Sequence, residues 1–294
     1  MIALAGVADA PRIRAQARDR NEAAYPAGLR ALPDAPARVW IAGTLDTPVA
    51  RCVAIVGSRA ASDYGASFAR RLAADLARAG LVVVSGLAHG IDAAAHAGAL
   101  EARGRTVGVL PAGLDHITPV QHVALARRVA ENGALLTERE SGPPFGPGAF
   151  VRRNRLIAAL SAVTVVVEAA ARSGALSTAT AARALGRPVL AVPGDLDRPT
   201  SLGTLQLLRE GARPCGGAAD VLAALPALVP GGDSTPRERL LAALAASPRT
   251  IGELAAAAGM TEPAAGAELV QLEWAGLARA LPGQRWARGG SGAA

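Results

Sequence analysis

No lysine occurs in this chain; all 31 basic residues are arginine. A phosphate-binding loop of the GxxxxGK[ST] type cannot be written without that lysine, which effectively excludes ATP hydrolysis of the P-loop kind. The arginine monopoly accompanies an excess of Ala and Gly, so it is read as genomic base composition and not as selection for phosphate-binding forks. Aromatic residues are scarce at 3%, which disfavours a base-stacking groove rich in Phe and Tyr. Cysteine is limited to Cys52 and Cys215. They form no CxxC pair, so neither zinc nor a disulfide framework is indicated. No apolar run approaches membrane-spanning length and no signal-peptide core opens the chain, so a cytoplasmic protein is the expectation.

What is present describes a globular protein. Hydrophobic residues make up 51% and charged residues 19% of 294 positions, enough for one sizeable α/β domain and a smaller one. The net charge of +7 is unevenly spread. Residues 51–223 hold 19 Arg against 13 acids, whereas residues 1–50 and 235–294 each hold 6 against 5. The surplus sits in the middle of the chain, where it suits an anionic partner.

That middle segment alternates apolar runs with helical stretches. Strands are expected around Val53, Leu81, Thr106, Ala134, Val163 and Val189. Helices are expected over Ser62–Ala79, His89–Arg103, Pro119–Glu131, Val151–Leu160, Ala175–Leu185 and Ser201–Glu210. Such alternation predicts a parallel sheet covered by helices on both faces. Residues 1–50, rich in Ala, Arg and Pro, read as a lead-in with little core of its own, and residues 51–224 as a Rossmann-like domain. Residues 225–236, which include Pro226, Pro230, Gly231, Gly232 and Pro236, read as a linker. Residues 237–288 then offer three helical stretches and two strands around Pro282-Gly283, the pattern of a winged helix. Its third helix, Thr261–Ala275, carries Glu262, Glu268 and Glu273 and no basic residue. Phosphate repulsion argues against placing that helix in a major groove, so the module is expected to contact protein or to regulate.

Several strand-to-helix turns are built to face an anion. Gly57-Ser58-Arg59 follows an apolar strand, and both the Ser58 hydroxyl and the Arg59 guanidinium can donate to a phosphate. The segment Ser85-Gly86-Leu87-Ala88-His89-Gly90-Ile91-Asp92 has the small residues of an N–H nest at a helix start. His89, Asp92 and His96 share one helical face, but capping and arginine positioning outrank a metal site there. Arg152, Arg153, Asn154 and Arg155 form the sharpest basic cluster, at the head of an expected helix. Cations there oppose the helix dipole, an awkward placement that points to a phosphodiester partner. Gly174, Ser177 and Thr178 make a further loop-to-helix corner in which capping is the commoner use. No nucleophile–base pair and no glycosidase-like carboxylate pair stands out. The segments describe a binding site without a catalytic engine, a metal or a cofactor.

In this order and spacing, the segments Val53–Arg59, Ser85–Asp92 with His96, Arg153–Ser161, Val166–Ala169, Ser173–Thr178, Gly186–Gly194 and Gly211-Ala212 resemble the DNA-processing protein A (DprA/Smf) family of bacteria. The resemblance covers roughly residues 25–224. It implies an extended Rossmann-like domain that binds single-stranded DNA without catalysis, dimerises, and loads the recombinase RecA in natural transformation against single-strand-binding protein. It assigns the DNA phosphate pocket to Ser58, Arg59, Ser85, Gly86 and Gly90, with Arg153, Asn154 and Arg155 beside it. Arg59 and Arg155 are expected to grip phosphates most strongly, and exposed apolar positions of 189–224 to form the dimer surface. Val151 stands where the family usually has Pro, and Leu205 where it tends to have Asn. Residues 1–24 are too short for the SAM-like domain that many members carry. The alternative is a nucleotide-binding enzyme or sensor on a related fold. Phosphoribohydrolases of that kind need a Pro-Gly-Gly-x-Gly-Thr segment, which Pro193-Gly194-Asp195 does not continue.

Overall fold

The computed structural model describes residues 15–146, 148–225, 236–244, 248–274 and 276–289. The expected linker therefore lies almost wholly outside the described residues. The chain divides into two compact units on either side of Leu225/Pro226.

The first unit is a nine-stranded sheet clothed by helices. Its strands are β1 (Ala15–Asp19), β2 (Arg38–Gly43), β3 (Cys52–Val56), β4 (Val82–Ser85), β5 (Thr106–Leu110), β6 (Gly133–Thr137), β7 (Val163–Val166), β8 (Val189–Ala191) and β9 (Arg213–Pro214). Its α-helices are α1 (Asp63–Arg78), α2 (Ile91–Glu101), α3 (Val123–Glu131), α4 (Gly148–Ala159), α5 (Ala175–Ala184), α6 (Leu202–Arg209) and α7 (Ala218–Ala224). The spatial order is β1-β2-β6-β5-β4-β3-β7-β8-β9. From β6 to β9 every pairing is parallel, as the alternating pattern predicts.

The strands form because they are buried on both faces. All five residues of β3 are buried: Cys52, Ala54 and Val56 enter one core, while Val53 and Ile55 enter the other. The first core lies mainly beneath α4 and α5 and the second beneath α1 and α2. The period-two alternation of a strand thus feeds two helix layers at once. Burial of the thiols pushes Cys52 up to about 12 and Cys215 up to about 11, so neither is a thiolate at neutral pH.

Residues before 51 do more than lead in. β2 pairs antiparallel with β6 and β1 pairs antiparallel with β2, extending the sheet past its parallel part. Between them Tyr25 and Leu29 are fully buried in the first core, and the Tyr25 hydroxyl donates to the Pro36 carbonyl at 2.8 Å. The segment builds no core of its own; it adds to the shared one. The expected helix from Val151 starts three residues earlier, at Gly148, and that from Pro119 begins as a short 3-10 turn before α3.

The second unit is a winged helix. Helices α8 (Pro236–Ala243), α9 (Ile251–Ala258) and α10 (Glu262–Trp274) pack with a small antiparallel sheet of order β10-β12-β11. Its strands are β10 (Arg249–Thr250), β11 (Ala278–Leu281) and β12 (Arg285–Arg288). Thr250 caps α9 in a capping box with Glu253, as its position predicts. Two of the three acids of α10 are spent internally: Glu268 pairs with Arg237, and Glu273 accepts from the Ala280 N–H at 2.9 Å.

One buried histidine ties stability to pH. Thr106 Oγ1 donates to the Val83 carbonyl at 2.7 Å, so it accepts from His96 Nδ1–H, also at 2.7 Å. His96 Nε2 is buried without a partner, and burial pushes the imidazole down to about 3. The unfolded chain therefore binds a proton near pH 6.5 that the folded one refuses until about pH 3. Stability is expected to fall as pH drops through that window, by up to ~1.4 kcal/mol per pH unit from this group. Urea unfolding of the wild type and of His96→Gln across pH 7 to 4 checks it. The variant should lose part of the slope.

Candidate functional site

The parallel sheet has one topological switch point. The chain runs outward from β3 through β4, β5 and β6, then returns to place β7 on the other side of β3. Ligands bind outside the carboxyl ends of strands at such a point. A pocket of about 550 Å³ lies there, lined among others by Gly57, Ser58, Arg59, Phe150, Arg153 and Asn154. Gly57–Arg59 follow β3, Ala88 and Asp92 follow β4, and Ser173 and Gly174 follow β7; all line it.

The turn after β3 is held from behind by Glu168. The Ser58 N–H donates to the Glu168 carbonyl at 2.7 Å, and the Ser62 N–H donates to its carboxylate at 3.0 Å. The Ser62 hydroxyl donates to the same carboxylate and accepts from the Gly65 N–H at 3.1 Å, capping α1. A carboxylate thus already occupies the positive end of α1, the place where the sequence alone offers an anion site. Any phosphate in the pocket must be met by side chains and loop N–H groups instead. Arg59 is exposed to the pocket, its guanidinium 4.4 Å from the centre of the Phe150 ring. It makes no ion pair among the described residues.

The loop after β4 rests on a buried arginine. Arg153 is 3% exposed, and its guanidinium donates to the carbonyls of Gly86 (2.7 Å) and Val109 and to Asn154 Oδ1 (3.1 Å). Asp92 Oδ2 accepts from the N–H groups of Gly86 (3.2 Å) and Ala88 (3.4 Å). Both charged groups crowd Gly86: a Cβ there would lie 2.5 Å from Arg153 Nη2 and 2.7 Å from Asp92 Oδ2. Burial lowers the guanidinium to about 10 and raises the Asp92 carboxyl, each opposed by the charge of the other. Gly90, at φ +71°, lets the loop pass so close that a Cβ would lie 2.3 Å from the Ser58 carbonyl. Leu87 holds φ +58° while fully buried, fixed by His122 Nδ1–H donating to its carbonyl at 2.8 Å.

The eight residues assigned to the pocket therefore divide. Ser58, Arg59, Arg153 and Asn154 line it. Ser85, Gly86 and Gly90 do not; the Ser85 hydroxyl donates to the Ile55 carbonyl at 2.6 Å, and both glycines serve close packing. Arg155 turns away from the pocket into ion pairs with Glu138 (2.6 Å) and Asp34 (2.9 Å). Because α4 starts at Gly148, the arginine run falls in its second turn, and the expected conflict with the dipole does not arise. Asn154 Nδ2 donates to the Gly174 carbonyl and to Ser177 Oγ, both at 2.9 Å, tying α4 to the corner before α5. Phe150, Ser173 and the backing Glu168 join the site without having been assigned to it from the motifs. The Phe beside the arginine run and the Glu ending a strand run are the signals that mark two of them. His96 faces the core and not His89, and among the described residues no group of His, Cys, Asp or Glu is placed to hold a metal.

The family model described as DNA recombination-mediator protein A matches residues 17–226, and the DprA winged helix domain matches residues 218–284. The chain belongs to the DprA/Smf family. A putative DNA processing protein DprA from Mycobacterium tuberculosis is 41% identical over 287 residues, which span 91% of this chain and 74% of that protein. DNA processing protein DprA of Bacillus subtilis is 37% identical, over 69% of this chain and 68% of its own. DNA processing protein A of Streptococcus pneumoniae superposes with a TM-score of 0.67 at 36% identity, over 72% and 74% of the two chains. The Helicobacter pylori protein, whose structure describes a single-stranded DNA binding mode, superposes with a TM-score of 0.64 at 32% identity, over 72% of this chain and 96% of that one. The family's DNA-processing role, its α/β sheet and its winged helix are thereby this chain's. No described helix is long and apolar enough to cross a membrane.

The packing at Gly86 generates a test of the pocket wall. Gly86→Ala forces Arg153 or Asp92 to move and should cost ~1–3 kcal/mol, the usual penalty of overpacking. Gly174→Ala meets nothing within 4 Å at φ −60° and should be neutral or slightly stabilising. Urea denaturation of both variants decides.

Proposed function

We propose that this protein binds single-stranded DNA in the pocket at the switch point and places a RecA-type recombinase on it during natural transformation, in competition with single-strand-binding protein. It works in the cytoplasm as a homodimer, without catalysis, cofactor or metal. The observation that carries the reading is Arg59: an exposed guanidinium, paired with no acid among the described residues, on the wall of a 550 Å³ pocket at the sheet's switch point. The family, and the single-stranded DNA binding of its Helicobacter pylori member, support the choice of ligand.

The Ser58 hydroxyl stands beside Arg59 as a donor to a phosphate, while Asn154, whose two N–H groups are taken by Gly174 and Ser177, orients the corner before α5, and Arg153 braces the wall from within. Because these groups meet backbone phosphates, affinity should depend little on sequence. On this reading the pocket holds the strand and releases it unchanged. Leu196 and Leu202 are exposed apolar side chains of the 189–224 segment, available for pairing with a second copy.

Fluorescence anisotropy with labelled oligo-dT, a duplex competitor and a salt series tests the proposal. Arg59→Ala should weaken single-strand binding roughly 10- to 100-fold, the worth of a charge-assisted hydrogen bond to phosphate. Its salt slope should be shallower by about 0.7 for each phosphate that Arg59 neutralises in the wild type. Arg155→Ala should change affinity less, since Arg155 is spent on acids. Equal binding by wild type and Arg59→Ala would assign the pocket to a different anion, such as a nucleotide.

A further inference from the structure

Only three phenylalanines exist in the chain: Phe68, Phe145 and Phe150. Phe68 is buried in the core beneath α1. The other two lie five positions apart at the carboxyl edge of the sheet, and each carries an arginine on its face. Arg59 covers Phe150 within the pocket, and the Arg139 guanidinium lies 3.8 Å from the centre of the Phe145 ring. Phe145 is 79% exposed and joins none of the hydrophobic cores of the described residues.

The segment bearing this second stack is fastened down. The Arg139 N–H donates to Thr137 Oγ1 at 3.1 Å, and that hydroxyl donates to the Ala112 carbonyl at 2.7 Å. The Gly142 N–H donates to the Asp115 carboxylate at 2.9 Å, and the Gly113 N–H to the Gly142 carbonyl at 2.9 Å. These bonds hold the loop after β6 against the loop after β5, on the same sheet edge as the pocket. The ring is thus held out in solvent on an anchored loop, with a cation on one face and the other face open.

We infer that Phe145 and Arg139 form an outlying stacking step for the strand that occupies the pocket, with one base on the open face of Phe145 and the adjoining phosphate on Arg139. This rests on the single-stranded DNA reading above. The two rings are joined by five residues, which span at most ~18 Å. That reach is a few nucleotides, within the extent of ordinary single-strand sites. A base stacks on any aromatic face regardless of its identity, so the step adds affinity without adding sequence preference. Arg139 supplies both a cation over the ring and a donor to phosphate.

The test compares oligo-dT of about 4 and about 16 nucleotides, the two ends of the usual site size, with a 2-aminopurine base placed at successive positions of the longer one. Phe145→Ala and Phe145→Leu should weaken the long oligonucleotide about fivefold or more, the lower bound for one stacked base, and leave the short one unchanged. Phe145→Tyr should bind like the wild type. One 2-aminopurine position, quenched in the wild type and in Phe145→Tyr, should lose its quenching in Phe145→Leu. Wild-type affinity of Phe145→Leu for the long oligonucleotide would overturn the inference, as would equal losses for both lengths, which mark a loop pin. In either case the Arg59 result stands by itself. Failure of the wild type to bind either oligonucleotide would overturn both readings.

Discussion

The pocket depends on a charge that never reaches solvent. The Arg153 guanidinium and the Asp92 carboxylate both bond the backbone of the loop after β4, and together they take the space that a side chain on Gly86 would need. Isolated, either charge would be very costly to bury. Together they hold the loop by its backbone, Arg153 at the Gly86 carbonyl and Asp92 at the Gly86 and Ala88 N–H groups. Leu87 can then be held at a positive φ and Gly90 pressed against the Ser58 carbonyl. The shape of the wall is set by electrostatics, and apolar packing fills in behind it.

The same economy governs the other wall. Glu168 does for the turn after β3 what Asp92 does for the turn after β4: its carboxylate accepts from the turn's backbone, at the Ser62 N–H. In both cases the protein uses its own carboxylate where a bound anion would otherwise sit. The consequence is selectivity of placement. At the pocket the Arg59 guanidinium is left open, while those of Arg153 and Arg155 are taken up by backbone carbonyls and by acids.

Most of the sheet is legible in the sequence because parallel strands buried on both faces read as unbroken apolar runs: Val53, Leu81, Thr106, Ala134, Val163 and Val189 each mark a strand that forms. β1 and β2 are hard to see because no residue of β1 and only half of β2 is buried, which dilutes any run, and their pairing is antiparallel across a long connection. β9, with two residues, has no pattern to detect. At the site, the motifs locate the right loops but not the directions of their side chains. Successive helical residues point about 100° apart, so Arg152 is exposed with one edge at Glu138, Arg153 enters the core, and Arg155 pairs with Glu138 and Asp34. Nothing in a run of arginines tells which is which; that is decided by Gly86, Glu138 and Asp34, distant in sequence. Low aromatic content is an average over the chain and says nothing of placement: two of its three phenylalanines, Phe145 and Phe150, stand five positions apart, each with an arginine over its ring.

The narrowness of β9 has a bearing on assembly. This border of the sheet consists of Arg213 and Pro214, one carrying a full charge and the other without an N–H to donate. A neighbouring molecule that tried to continue the ladder here would find a cation in its path and no outward N–H on either residue, since Pro214 has none and the alternation that turns the Cys215 N–H to the Ala191 carbonyl turns that of Arg213 inward too. Growth by strand addition is blocked on that side, so copies meeting there must join through side chains on helices and loops. Such a union can be closed and finite, where strand addition would be open-ended.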